Sequence, residues 1–421
     1  MTAPDTHRVA AAIWRIESAK LIAVLTRLLC SVERAEEIAQ DAFVEALESW
    51  SKQGIPDNPG GWLMKAAKHR ALDSLRRART AERRSEQLEH QLDAVQLADF
   101  DEVPDDLVGD DLLRLMFVAC HPVLSQEARV ALTLRLLGGL TTNEIARACL
   151  TPEPTIAQRI TRAKRTLAEQ RVPFELPRAA DLRARVDAVL EVIYLIFNEG
   201  YLATQGDDWM RPALCEDALR VGRILAELMP AESEVHALAA LMEIQASRAR
   251  ARSGPNGEAI LLLEQDRSLW DALLVRRGLE GLARAESLVQ GSLGPYLLQA
   301  SIAACHARAL EAADTDWPRI AALYAALMHV APSPVVELNR AVAAGMAFGP
   351  AAGLAIVEPL RTDPALSIYP FLPSVRADLL AKLGRFSEAR AEVEHAAALT
   401  KNARDRALFL DRAVTYARQQ R

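Results

Sequence analysis

Two stretches of this chain carry side chains suited to binding phosphate. In the first, Lys65, Lys68, His69, Arg70, Arg76, Arg77, Arg79, Arg83 and Arg84 crowd together, with only Asp73 and Glu82 opposing them. Cations at this density can track a phosphate backbone. Trp62, just upstream, offers a face for an unstacked base. From this patch alone, a solvated basic face beside a core tryptophan is the commoner outcome. The second stretch runs from Pro154 to Arg165 and alternates apolar residues with Thr155, Gln158, Arg159, Arg162 and Arg165. Arginine pairs with guanine, glutamine with adenine, and glutamate accepts from cytosine. Glu153, Thr155, Gln158, Arg159, Arg162 and Arg165 are therefore candidates for meeting DNA, if the segment is a recognition helix. An ordinary amphipathic hairpin stays open beside that reading. No nucleophile elbow, Walker loop or HExxH motif is present. Cys120-His121 lacks a second pair at ligand spacing. No catalytic residue, metal site or cofactor is expected.

The surrounding pattern is helical. Ala35, Ile38, Ala39, Ala42, Phe43, Ala46, Leu47 and Trp50 follow the three-four spacing of one face. Glu36, Glu37, Gln40, Asp41, Glu45 and Glu48 occupy the opposite face. An earlier helix spans Ile13 to Leu29, with apolar residues on more than one side. After a Pro/Gly-rich loop from Gly54 to Gly61, a third helix begins near Trp62 and repeats Leu63, Ala67, Ala71 and Leu75. The acidic stretch from Ser85 to Asp111 reads as a linker or a loose helix. A helix then starts at Ser125 and stops at Gly138-Gly139, and Thr141 to Glu144 fits a capping box. Thr151 is the expected N-cap of the next helix, with Pro152 and Pro154 in its first turn. Ile156, Ile160 and Ala163 should face the core. Two short helices joined by a tight turn, the second basic, form a helix-turn-helix pattern. A second linker covers Val172 to Pro177. Beyond it lie helices broken at Met229-Pro230, Gly254-Pro255, Gly294-Pro295, Pro332 to Pro334, Gly349-Pro350 and Asp363-Pro364. Ala377 to Ala396 resembles one tetratricopeptide-like hairpin.

The 421 residues allow two to four compact units. The chain is 50% apolar but only 5% aromatic, which favours an all-α fold. A net charge of −6 excludes a uniformly basic nucleic-acid coat, though not local basic stripes. Five cysteines without framework spacing fit a reducing, cytoplasmic setting. No stretch is apolar enough to span a membrane.

With these elements in place, a family resemblance follows. Glu33 to Phe43 looks like sigma region 2.2, the helix that docks on the polymerase β′ clamp. Gly61 to Arg77 is similar to regions 2.3 and 2.4, which melt and read the −10 element, and Leu140 to Leu167 resembles region 4.2, which reads the −35 element. The order matches extracytoplasmic-function (ECF) sigma factors of RNA polymerase. The resemblance implies core docking by Glu37, Gln40, Asp41 and Glu45. It implies −10 contacts by Trp62, Lys65, Lys68, His69, Asp73, Arg76 and Arg77, and −35 contacts by the six residues of the second stretch. The implied partners are core RNA polymerase, through its β′ clamp and β flap, and promoter DNA. The implied domains are region 2 at 1–84, an acidic linker at 85–111, region 4 at 112–172 and a helical tetratricopeptide-like domain at 181–421. In this family the interdomain linker threads the polymerase cleft, where acidic residues from Asp99 to Asp111 would mimic nucleic acid. A merely solvated tether fits them as well. Cys149-Leu150 and Pro154 stand where many relatives have glycine, which puts the recognition geometry there in doubt.

The C-terminal half resembles the extension of one ECF branch at Val192 to Tyr201, Gln265 to Arg267, Gly294 to Tyr296, Thr315 to Trp317 and Pro332 to Ala341. That resemblance implies a regulatory or docking role, with small YCII-like proteins as partners. Asn198 to Tyr201, Gln265 to Arg267 and Asp316-Trp317 either line a polar cleft or satisfy one another between helices. The competing function is a helix-turn-helix regulator with a ligand-sensing C-terminal domain, which leaves the region 2-like block unexplained. An enzyme is the third reading, without a motif behind it.

Overall fold

A computed structural model of the chain describes residues 3–85, 105–149, 151–201, 210–254, 260–400 and 402–419. Among these residues every regular element is helical. The chain divides into two compact units, Met1–Leu195 and Ile196–Arg421.

In the first unit, α1 (Ala3–Leu29) contacts α2 (Val32–Gln53), α3 (Pro59–Ser85), α4 (Asp105–Ala119) and α5 (Gln126–Leu136). This explains its apolar residues on several sides: Leu21, Ile22, Val24 and Leu25 are all buried. Ser31 caps α2 by accepting from the Arg34 amide at 3.3 Å. The expected apolar face of α2 is buried at Ala35, Ile38, Ala39, Ala42, Ala46 and Trp50. Glu36 departs from the expected polar face: it is 4% exposed. Its burial comes from contacts far along the chain, which helical periodicity cannot register.

The acidic stretch is partly helix. Residues 86–104, including Asp99, lie outside the described residues, but Asp105 to Asp111 form the start of α4. Asp111 is fully buried and accepts from Arg27 Nε and from an Arg114 guanidinium nitrogen, each at 2.7 Å. Its end is thus an anchor to α1 and not a solvated tether.

Ser125 caps α5 as expected, and α6 (Thr142–Ala148) opens with the full capping box of Thr141 and Glu144. The turn between them needs glycine. Gly139 has φ +68°, and a Cβ there would stand 2.8 Å from Ser18 Oγ of α1. The recognition-like helix α7 (Glu153–Glu169) begins one residue later than expected. Its N-cap is Pro152, while the Thr151 hydroxyl instead donates to the Cys149 carbonyl at 3.0 Å. Leu150 lies outside the described residues. α8 (Ala179–Tyr201) follows the Val172–Pro177 connection.

The second unit is a run of helices, each packed on its chain neighbour: α9 (Pro212–Leu228), α10 (Ser233–Ala246), α11 (Ala272–Ser287), α12 (Pro295–Arg308), α13 (Trp317–Val330), α14 (Pro334–Phe348), α15 (Pro350–Leu360), α16 (Phe371–Lys382), α17 (Phe386–Leu399) and α18 (Ala403–Gln419). The hairpin expected around Ala377–Ala396 is α16–α17, whose Ala377, Leu380, Ala389, Val393 and Ala396 share one buried cluster with Phe409 of α18. Arg376 crosses this stack, donating to Glu358 at 3.0 Å and to Glu392 at 2.5 Å. No helix among the described residues is long and apolar enough to cross a membrane.

Candidate nucleic-acid interface

Helices α2 and α3 face each other across a cleft of about 710 Å³. One wall presents Glu37, Asp41 and Glu45 of α2, and the other presents Trp62, Lys65, His69, Asp73 and Arg77 of α3. Two sets of residues that the sequence assigned to different partners therefore line one cleft. Arg70 joins the walls, 2.9 Å from Glu45 and 3.9 Å from Asp41. Arg34 of α2 also donates to Ser74 of α3 at 2.8 Å. Trp62 meets the buried Trp50 edge-on, with ring centroids 5.6 Å apart. That contact fixes its indole at the cleft wall, where a flat ring can stack on a base. Of the remaining expected −10 residues, Lys68 is half-buried, and Arg76 is exposed and 3.5 Å from Asp73.

On α7, Ile156, Ile160, Ala163 and Leu167 are buried, which gives the helix its orientation. Glu153, Gln158, Arg162 and Arg165 are left exposed, while Thr155 and Arg159 are half-buried. Glu153 accepts from Asn143 of α6 at 3.1 Å, and Arg165 lies 3.4 Å from Glu169. The arrangement presents polar side chains along one outer face of the second helix of a helix-turn-helix, the face that enters a major groove in such motifs.

The feature that sequence reasoning missed is the anchoring of Glu36. Arg135 Nε of α5 donates to it at 2.5 Å, Lys164 of α7 pairs with it, and Gln40 donates to it at 2.8 Å. Burial pushes the Glu36 carboxyl up, but Lys164 and Arg135 outweigh that and hold it below its usual range. Gln40, expected on a docking surface, is thus turned onto Glu36. Arg15 of α1 adds a second tie, 2.7 Å from Glu144 of α6. No local signal marks these pairs, since their members lie about a hundred residues apart in sequence.

Burial pushes the Cys120 thiol up to about 11, and burial together with Arg185 takes His121 down to about 4.

Three family models match parts of the chain. Residues 15–81 match sigma-70 region 2, residues 114–167 match sigma-70 region 4, and residues 185–286 match a family of unknown function, DUF6596. A probable ECF RNA polymerase sigma factor, SigI of Mycobacterium tuberculosis, is 26% identical over 166 residues. The chain carries sigma-70 regions 2 and 4 in the order of an ECF sigma factor. The SigI match covers 39% of this chain and 57% of SigI. An uncharacterized protein of Rhizobium meliloti is 42% identical over 384 residues, covering 91% of this chain and 90% of its own, so the C-terminal extension is shared. No solved structure matches.

The polar stretches of the C-terminal unit largely satisfy helix ends. Asp266 accepts from the Ser268 amide at 2.9 Å, and Asp316 accepts from the Arg319 amide at 3.0 Å to cap α13. Arg267 donates to the carbonyls of His306 and Ala309 at the end of α12. Glu199 lies 2.5 Å from Arg211.

Proposed function

We propose that this cytoplasmic sigma factor docks on the β′ clamp of core polymerase through α2 and on the β flap through its region 4 helices. The α3 wall of the cleft reads and helps melt the −10 element, and the outer face of α7 reads the −35 element. The observation that carries the reading is the exposed polar face of α7, held in place by four buried apolar residues behind it. The C-terminal unit regulates or docks, in the manner that its place after region 4 suggests.

The test is run-off transcription with core polymerase on DNA upstream of the factor's own operon. Specific transcripts are expected from the full-length chain. Duplex binding without any core binding or transcript would instead establish a conventional helix-turn-helix regulator. Asp41 has a side chain 58% exposed, so Asp41→Lys should leave the fold intact and weaken core binding. Co-purification with polymerase at wild-type level would remove α2 from the docking surface.

Promoter engagement also requires a rearrangement. Arg34 binds Ser74 of the −10 helix, and Glu36, two residues on, binds Lys164 of the −35 helix. The two promoter elements lie about 25 base pairs apart, roughly 85 Å at 3.4 Å per step. Both cannot be read while α2 holds both helices, so Glu36 has to release region 4. The distance between labels at Glu48 and Glu169 should lengthen when polymerase binds, and Arg135→Glu should lengthen it in the free protein. A constant distance throughout would contradict this opening.

A further inference from the structure

Three branch-specific stretches that the promoter reading leaves unused meet in the C-terminal unit. Tyr201, Arg267 and Thr315 belong to them, and together with Arg248, Arg252 and Trp270 they build a ladder of cations and rings. Arg252 lies 3.6 Å from the centroid of Tyr201. Arg248 lies between Tyr201 and Trp270, at 5.7 and 5.8 Å. Arg267 closes the series 4.8 Å from Trp270.

The outer two arginines have carbonyl partners: Tyr201 for Arg252 at 2.7 Å, and Ala309 for Arg267, also at 2.7 Å. Arg248 differs from both. It is 7% exposed, its Nε is sealed from solvent without a partner, and its side chain makes no hydrogen bond or ion pair among the described residues. The faces of Tyr201 and Trp270 lie near a group with five in-plane donors. His306, also 7% exposed, has an unpartnered Nδ1 beside the same charges. Burial, then Arg248 and Arg267, push its pKa down to about 4, so it adds no charge near neutrality. Asp314 acts on Arg267 and Asp405 on Arg252, but neither forms an ion pair with Arg248. Arg267 at the outer end borders an open groove of about 740 Å³, which Ser268 and Trp270 also line and from which Arg248 is set back behind Trp270 and Arg267.

A buried guanidinium without a counter-charge is unfavourable, and a bound anion removes the penalty. A guanidinium held by ring faces can keep its N–H edge free, which is the edge that binds carboxylate or phosphate in forked fashion. Several cations in one series favour a ligand with more than one negative charge. We propose that the Arg248 cluster is a binding site for a polyvalent oxyanion, a phosphate ester or a polycarboxylate. This site stands independently of the promoter reading, since it involves no residue of α1 to α7.

Equilibrium dialysis of the full-length protein against pyrophosphate or citrate, at constant ionic strength, tests it. One equivalent of at least one probe should bind per chain. Binding of pyrophosphate alone assigns a phosphate ester, and binding of citrate alone assigns a polycarboxylate. Arg248→Met should weaken binding at least about tenfold, the loss expected for one charge-assisted forked contact. Arg248→Lys keeps the charge without the fork and serves if the methionine variant does not fold. Arg390→Met, a surface change near Glu394, should bind as wild type. Stoichiometric binding of neither probe overturns the proposal. Equal binding by wild type and both Arg248 variants overturns it too, because the contact would then be a diffuse surface effect.

Discussion

Asp111→Ala is expected to destabilise the N-terminal unit by about 3 kcal/mol, as removal of one partner from a buried charge pair does. Asp111 is a fully buried residue within α4, held between Arg27 and Arg114 at 2.7 Å each. Alanine would leave two guanidinium groups facing each other in a partly closed site. The arginine side chains are 32% and 24% exposed, so solvent offsets some of the cost and keeps the figure at the lower end. For a unit of this size, the melting transition should fall by roughly 6–12 °C. Asp110→Ala is the contrast. Its side chain is 53% exposed and 3.9 Å from Arg114, so the transition should hardly move. The measurement is thermal unfolding followed by circular dichroism, with the first transition assigned by a version ending near Arg171. Equal shifts for the two variants would show that the buried pairing of Asp111 carries no special weight. The result also bears on the chain between regions 2 and 4, because Asp111 ties the start of region 4 to α1.

The second large effect concerns promoter recognition. Arg159→Ala should weaken binding of the holoenzyme to its −35 element by about 1–3 kcal/mol and relax specificity at one base pair, as loss of a forked base contact does. Arg159 stands on α7 between the buried Ile156 and Ile160 and the exposed Arg162, at the edge of the outer face. Arg165→Ala should behave differently. It lies a turn further along, exposed and beside Glu169. Its loss should lower affinity evenly across sequences and reduce the salt slope by about one, the mark of a phosphate contact. Fluorescence anisotropy on matched and mismatched −35 duplexes, at several salt concentrations, separates the two. Unchanged promoter binding by Arg159→Ala would mean that α7 meets DNA through other residues.

Much of this factor was legible in its residues. Apolar periodicity located α2, α3 and α7, because burial along a helix repeats with the helical turn. Ser125 and the Thr141–Glu144 box marked helix starts, because amides at a helix end need local acceptors. The start of α7 was misplaced by one residue: Pro152, which donates no amide hydrogen, took the cap position, and Thr151 turned back to Cys149. The basic face of α3 and the polar face of α7 were also visible, since each is a property of one helix.

A single segment and its near neighbours thus specified helix type, orientation and surface charge. Which residues meet across distance depended on the folded chain. Folding set the acidic face of α2 and the basic face of α3 in one cleft, buried Glu36 under Arg135 and Lys164, and made Asp111 an anchor between α4 and α1. It also brought Arg248 to 5.7 Å from the Tyr201 ring and 5.8 Å from that of Trp270. Each of these depends on pairs far apart in the chain. A lone Glu or Arg has the same local signature whether water or another helix surrounds it, and burial alone changes its chemistry.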